Sequence, residues 1–86
     1  MKILIIDHPG LQLQTRKMLV EDALHGSEVD VASTLGELYM TYHKGDYDVV
    51  MVDNTIENGQ VCVDYILQTD PQQQILVVSD AIHCVI

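Results

Sequence analysis

Apolar and polar residues alternate along the chain in blocks that predict a repeating strand–helix order. Segments at 2–6, 28–32, 49–52 and 74–79 are short and rich in β-formers, which is typical of strands. Between them, apolar residues recur at three- and four-residue spacing and predict helices over 11 to about 24, 35 to about 44 and 61–67. The order β-α-β-α-β-α-β predicts one α/β domain with a doubly wound parallel sheet and right-handed crossovers.

Local signals refine these elements. The 28–32 segment alternates at period two, so we expect it near a sheet edge, whereas the other three strands have the continuous apolar character of buried parallel strands. Thr34 and Glu37 have the spacing of a capping box at the start of the second helix. Lys44 is predicted in the last turn of that helix, where the helix dipole favours a cation. The predicted inward stripe of the first helix consists of Leu11, Thr15, Met18, Leu19 and Ala23. We expect Met18, Met40 and Met51 in the core, and Tyr39, Tyr42 and Tyr47 to pack in the core or on helix faces.

Composition narrows the function classes. The 86 residues are 48% hydrophobic, which is enough for one small domain with a core, and no apolar run approaches the ~20 residues of a membrane span. Four Lys and Arg residues stand against thirteen Asp and Glu, and the resulting net charge of −9 argues against direct binding to nucleic acid or to acidic membranes. Without a secretory signal of normal length, we expect a cytoplasmic protein, whose Cys62 and Cys84 are reduced.

Polar side chains follow three of the predicted strands. Asp7, Asp53 and Ser79 stand at the carboxyl ends of the first, third and fourth strands. These ends share one edge of a parallel sheet, where open α/β sheets bind their ligands, so we expect the three residues to converge. Two close carboxylates require a cation, and oxygen ligands suit Mg²⁺. The Ser79 hydroxyl could then donate a hydrogen bond to a phosphoryl oxygen.

The order and spacing of these residues resemble those of a known family, the receiver domains of bacterial two-component response regulators. The matching segments are 3–9 (ILIIDHP), Arg16 with Met18 and Leu19, 47–53 (YDVVMVD), Asn58-Gly59 and 75–79 (ILVVS). The resemblance implies a flavodoxin-like sheet and transfer of a phosphoryl group onto Asp53 from a histidine kinase or phosphotransfer protein. It also implies Mg²⁺ held by Asp7, Asp53 and the Thr55 backbone carbonyl, with Ser79 contacting the phosphate. Such a module is a phosphoacceptor and not itself an enzyme.

The chain also departs from the family pattern. The family usually has two adjacent acids after the first strand, and here there is one. In one register Asp7 matches the metal-binding acid and Ile6 replaces the other; in a second register Asp7 matches the first acid and His8, a weaker candidate ligand, is the replacement. In either register the site has one carboxylate fewer than the family pattern, so Mg²⁺ is expected to bind weakly. The loop after Asp53 is also about two residues shorter than the family norm, a change that bears on the Thr55 carbonyl ligand.

The largest departure lies at the carboxyl end. Residues 1–86 correspond to about the amino-terminal two-thirds of a full receiver, with strand order 2-1-3-4 and without the last strand, its functional lysine and the last helix. The 74–79 strand would then be an exposed edge, and the first helix would expose an apolar stripe. From this we expect self-association, as a dimer or larger assembly, through the fourth-strand edge.

Plainer structural roles remain open for each candidate. Asp53 could be a loop-starting acid, Asp7 a helix N-terminal acid and Ser79 a strand-ending hydroxyl, while His8 fits a solvated loop residue. At the level of function, the alternative to a phosphoacceptor is a degenerate receiver that serves as a phosphorylation-independent interaction or dimerisation module. A flavin- or nucleotide-binding enzyme is disfavoured because the segment after the first strand is not a glycine-rich phosphate loop.

Overall fold

A computed structural model of the chain describes residues 1–8, 10–53, 59–78 and, for the backbone alone, 83–85. Strands and helices alternate through most of it, in the predicted order. The elements are β1 (Lys2–Ile6), α1 (Leu11–Ala23), β2 (Glu28–Ala32), α2 (Leu35–Thr41), β3 (Val49–Asp53), α3 (Gly59–Thr69), β4 (Ile75–Val78) and β5 (His83–Val85).

The first four strands form a parallel sheet in the order β2-β1-β3-β4. This confirms the predicted flavodoxin-like arrangement, including the position of β2 at a sheet edge. The pairing of β1 with β3 sets Ile6 beside Val52, so the residues that follow them emerge at the same edge. We call this end of the sheet the carboxyl edge and the opposite end the amino edge.

The outer side of β4 is occupied by β5, and this corrects the prediction of an exposed fourth-strand edge. β5 runs antiparallel to β4, with Val77 opposite Cys84. The physical reason is local: the backbone groups along an apolar strand need partners, and the chain's own 83–85 segment supplies them. An antiparallel neighbour requires no crossover helix, which is why a short segment suffices. In this fold, β5 of the same chain, rather than a second copy, pairs with this side of β4.

Two hydrophobic clusters of unequal size cover the two faces of the sheet. Alternation along β1 sends Leu4 and Ile6 to one face and Ile3 and Ile5 to the other. Among the described residues, the first cluster has twelve buried members, supplied by the sheet, α2, α3 and the tyrosines near them. The second has four, and Leu13 is its only member from α1. The α1 layer is therefore the thinner one.

The inward face of α1 differs from the predicted one. Leu13 is buried, whereas Leu11 is 83% exposed and Met18 and Leu19 are each 63% exposed. Because Leu13 faces the sheet, the residues about one and two helical turns later, Arg16 and Val20, also face the sheet, and the predicted stripe faces outward. Assigning Met18 to the core was therefore wrong, and so was assigning Met40, which is 81% exposed on α2. Met51 is half-buried and packs on the smaller cluster.

The second helix begins as predicted but ends earlier. The Thr34 hydroxyl accepts from the Glu37 N–H at 3.1 Å, and the Glu37 carboxylate accepts from the Ser33 N–H and hydroxyl at 2.7 Å. The helix stops at Thr41 because Tyr42 turns to extended backbone and enters the core. Lys44 therefore lies beyond the last turn, and its predicted dipole contact is wrong.

Side-chain hydrogen bonds connect residues at the amino edge. The Tyr42 hydroxyl donates to Gln73 Oε1 at 2.7 Å, and Gln73 Nε2 donates to the Tyr47 carbonyl at 3.1 Å. The Tyr47 hydroxyl donates to Asp30 Oδ2 at 2.7 Å. Burial raises the pKa of Tyr42 to about 12, so its hydroxyl stays protonated and remains a donor at neutral pH. We call Tyr42, Tyr47, Gln73 and Asp30 the amino-edge network; it confirms the packing role predicted for these two tyrosines.

Candidate functional site

Asp7 and Asp53 meet at the carboxyl edge. Asp53 is the last residue of β3 and Asp7 directly follows β1, the strand that pairs with it. Both side chains are fully buried. The sequence analysis predicted that these two residues converge, and the parallel pairing of β1 with β3 is what brings them together.

A guanidinium bridges the two carboxylates. Arg16 Nη1 lies 3.1 Å from Asp7 Oδ2 and 3.1 Å from Asp53 Oδ2. The Arg16 side chain is only 19% exposed, since it runs from the inward face of α1 toward the sheet edge. The same nitrogen, Nη1, lies beside both acids. This differs from the bidentate pairing in which two guanidinium nitrogens contact one carboxylate. Asp7, Arg16 and Asp53 thus form a buried cluster that we call the carboxyl-edge triad.

Burial dominates the electrostatics of Asp7. Its pKa is raised above the ordinary value chiefly because burial penalises the charged form, and the neighbouring Asp53 charge adds to this. The His8 N–H, which donates to Asp7 Oδ1 at 2.7 Å, and the Arg16 charge act in the opposite direction. With both acids ionised, the triad carries two negative charges and one positive charge, so one guanidinium leaves it short of neutral.

The remaining predicted site residues are His8, Thr55 and Ser79. The His8 side chain is exposed, and the His8 backbone N–H donates to Asp7 Oδ1. Thr55, the proposed carbonyl ligand, and Ser79, the proposed phosphate contact, both lie outside the described residues. Their roles remain predictions.

The described residues do not fit Mg²⁺ in their present arrangement. Two carboxylates converge as a magnesium site requires, but a guanidinium nitrogen already lies within 3.1 Å of an oxygen of each. No group of three or more acidic, histidine or cysteine side chains in the described ranges could hold a metal ion. A divalent cation would have to displace Arg16 before it could reach both acids.

Sequence reasoning missed the part played by Arg16. The residue was noticed as a match within the first helix, but not as a partner of the acids. A usable signal was present, since Arg16 is one of only four cations in the chain and is spaced three residues from Leu13 and four from Val20. Once Leu13 is taken as the inward residue, that spacing directs a charged side chain toward the sheet.

Comparisons with known proteins identify no relative. No protein-family model, no curated protein and no solved structure matches the chain. Within the described residues, no helix combines the length and apolar character needed to cross a membrane.

Proposed function

We propose that this chain is a receiver-like module that works through protein–protein contact, independently of phosphorylation at Asp53. The observation that carries the proposal is the state of Asp53, which is fully buried and whose carboxylate is already paired with a cation. Phosphoryl transfer would require a carboxylate oxygen to meet a donor phosphorus directly. A buried, ion-paired oxygen is poorly placed for that encounter.

The outer face of α1 supplies a surface for such contact. Leu11, Met18 and Leu19 project there with more than half of each side chain exposed, and we call these three the α1 outer face. Apolar side chains grouped in this way mark interaction surfaces. The thin core beneath α1 leaves this helix less covered by its own domain than α2 and α3 are.

A second copy of the chain is the partner that fits this face best. The chain carries a net charge of −9, so two copies repel each other over most orientations. The 11–19 segment contains no acid, although the chain has thirteen, and Lys17 adds a positive charge there. Contact between two such segments would bury apolar surface where like-charge repulsion is lowest. The proposal thus keeps the predicted self-association but moves it from the β4 edge to α1.

Light scattering over a range of protein concentrations tests this function. We expect a mass that rises with concentration and does not change with Mg²⁺ plus beryllofluoride, a phosphoryl mimic. Met18→Glu should shift the equilibrium toward monomer because it buries a charge against the partner. Met40→Glu is the matched control, since it makes the same change at a more exposed position on α2. A concentration-independent monomer mass would refute the proposal.

The convergence of Asp7 and Asp53 favours a second candidate, the phosphoacceptor module in a two-component phosphorelay. In this candidate a histidine kinase or phosphotransfer protein would place a phosphoryl group on Asp53, which requires Arg16 to move away from its carboxylate. The test is intact-mass measurement after incubation with acetyl phosphate and Mg²⁺, with Asp53→Asn as the control. A gain of one phosphoryl group in the wild type alone would favour this candidate over the first.

A further inference from the structure

We infer that Arg16 occupies the position of a divalent cation between Asp7 and Asp53, and that its guanidinium keeps such cations out of the carboxyl edge. The inference concerns the described residues alone. It does not depend on self-association, whereas the phosphoacceptor candidate would require the opposite, that Arg16 give way to Mg²⁺ at the two acids.

The first support is the geometry of the bridge. Arg16 Nη1 is equidistant from Asp7 Oδ2 and Asp53 Oδ2, at 3.1 Å from each. Neither Asp7 Oδ2 nor Arg16 Nη1 has a hydrogen bond of good geometry, so the attraction between them is that of charges in contact. One nitrogen of a cationic group between two carboxylate oxygens resembles the position that a metal ion takes between two acids, rather than the two-pronged pairing of a guanidinium with a single acid.

The second support is the need of the buried acids for a cation. Both side chains are fully buried, and two close, buried carboxylates are each disfavoured in the ionised form unless a positive charge lies nearby. Lys17, which follows Arg16 in the chain, makes no ion pair with either acid. Among the described residues, therefore, Arg16 is the cation that this pair of acids uses.

The third support is competition between the guanidinium and a metal ion. A divalent cation entering the triad would sit beside a fixed positive charge and would have to share the same two oxygens. Coulomb repulsion at such distances costs several kcal/mol even with an effective dielectric constant of about 20. Removing the guanidinium should turn an occupied pair of acids into an open site for an oxygen-seeking divalent cation such as Mn²⁺ or Mg²⁺.

The test is Mn²⁺ binding by electron paramagnetic resonance in wild type, Arg16→Met and Lys17→Met. Met retains much of the length of the arginine stem without its charge, and Lys17→Met removes a half-buried cation from the next position of the same helix. We expect Arg16→Met to bind one Mn²⁺ at least about tenfold more tightly than the other two proteins. Adding Asp53→Asn to Arg16→Met should abolish this gain, which would locate the ion at the triad.

Thermal unfolding keeps the inference testable if Arg16→Met is poorly folded. In EDTA this variant should melt below the wild type, or be unfolded, and Mn²⁺ or Mg²⁺ should raise its melting temperature or restore its folding. The wild-type melting temperature should not respond to these ions. Mn²⁺ binding of equal affinity in wild type and Arg16→Met, or no gain in binding or melting temperature in the variant, would overturn the inference. Neither readout depends on self-association or phosphorylation, so a failure here is distinct from a failure of the proposed function.

Discussion

The two edges of the sheet bury polar groups in different ways. At the amino edge, hydroxyl and amide groups of Tyr42, Tyr47 and Gln73 donate hydrogen bonds of 2.7–3.1 Å to oxygen acceptors. At the carboxyl edge, Asp7 and Asp53 are buried with one shared guanidinium. The first arrangement is a satisfied network that fixes the packing of α2 on the sheet. The second places two acidic side chains and a cation in the interior, and buried groups of this kind cluster at functional sites.

The largest expected effect comes from removing the shared cation. Arg16→Met should lower the free energy of unfolding by about 3 kcal/mol in metal-free buffer, because it leaves two buried carboxylates without their partner. Urea unfolding followed by circular dichroism measures this loss. Lys17→Met should change the same free energy by no more than about 0.5 kcal/mol. Equal losses in the two variants would mean that the carboxyl edge does not depend on Arg16.

A smaller loss is expected at the amino edge. Tyr42→Phe removes the hydroxyl that donates to Gln73 Oε1 and leaves that buried oxygen without this donor. The cost should be about 1–2 kcal/mol in the free energy of unfolding, the usual range for a buried acceptor that loses its partner. Tyr39→Phe is the control, because the Tyr39 ring is half exposed against Tyr65 and its hydroxyl makes no hydrogen bond within the described residues. If Tyr42→Phe matches that control, the amino-edge network contributes little.

The smallest change in the free energy of unfolding is expected for a substitution of Asp7, and whether it stabilises or destabilises the fold is what distinguishes the two explanations. The pKa of Asp7 is raised in the folded protein, so the folded state holds its proton more tightly than the unfolded state does. The Asp7 contribution to stability is therefore greatest below the unfolded-state value near 3.8 and declines as the pH rises through the folded pKa. Burial opposes the ionised form of Asp7, so Asp7→Asn should raise the free energy of unfolding at pH 7 by up to about 1 kcal/mol.

Urea titrations at several pH values check the sign of the Asp7 effect. The advantage of Asp7→Asn over the wild type should shrink as the pH falls through the raised pKa of Asp7, because the wild-type carboxyl then takes up its proton. Asp22→Asn, at an exposed position of α1, is the control for loss of one negative charge. A variant that is less stable than the wild type at pH 7 would show that the ion pair with Arg16 outweighs the cost of burying Asp7.

Much of the fold could be predicted from the local pattern of apolar and polar residues in the sequence. β1 and β2 have the predicted bounds, and the carboxyl end of β3 places Asp53 beside Asp7 through parallel pairing. These features depend on strand periodicity and on the handedness of crossovers, both of which are encoded over short distances. The Thr34 cap was likewise visible in the sequence and is present.

The missed features depend on contacts between distant segments. The inward face of α1 could not be read from apolar spacing, because Leu11, Met18 and Leu19 form a stripe as regular as a core-facing one yet lie outside. The β5 strand is three residues long, too short for a periodic signal, and forms because β4 offers it an edge. Arg16 was missed for the same reason, since its role depends on the rotation of α1 over the sheet.

The most direct test of the carboxyl-edge triad is a crystal structure determined from crystals grown with excess Mn²⁺, with anomalous scattering data collected to locate the metal. The account predicts that the Arg16 guanidinium lies between Asp7 and Asp53 and that no anomalous peak is present there. A manganese peak bonded to both carboxylates, with Arg16 turned away, would contradict it.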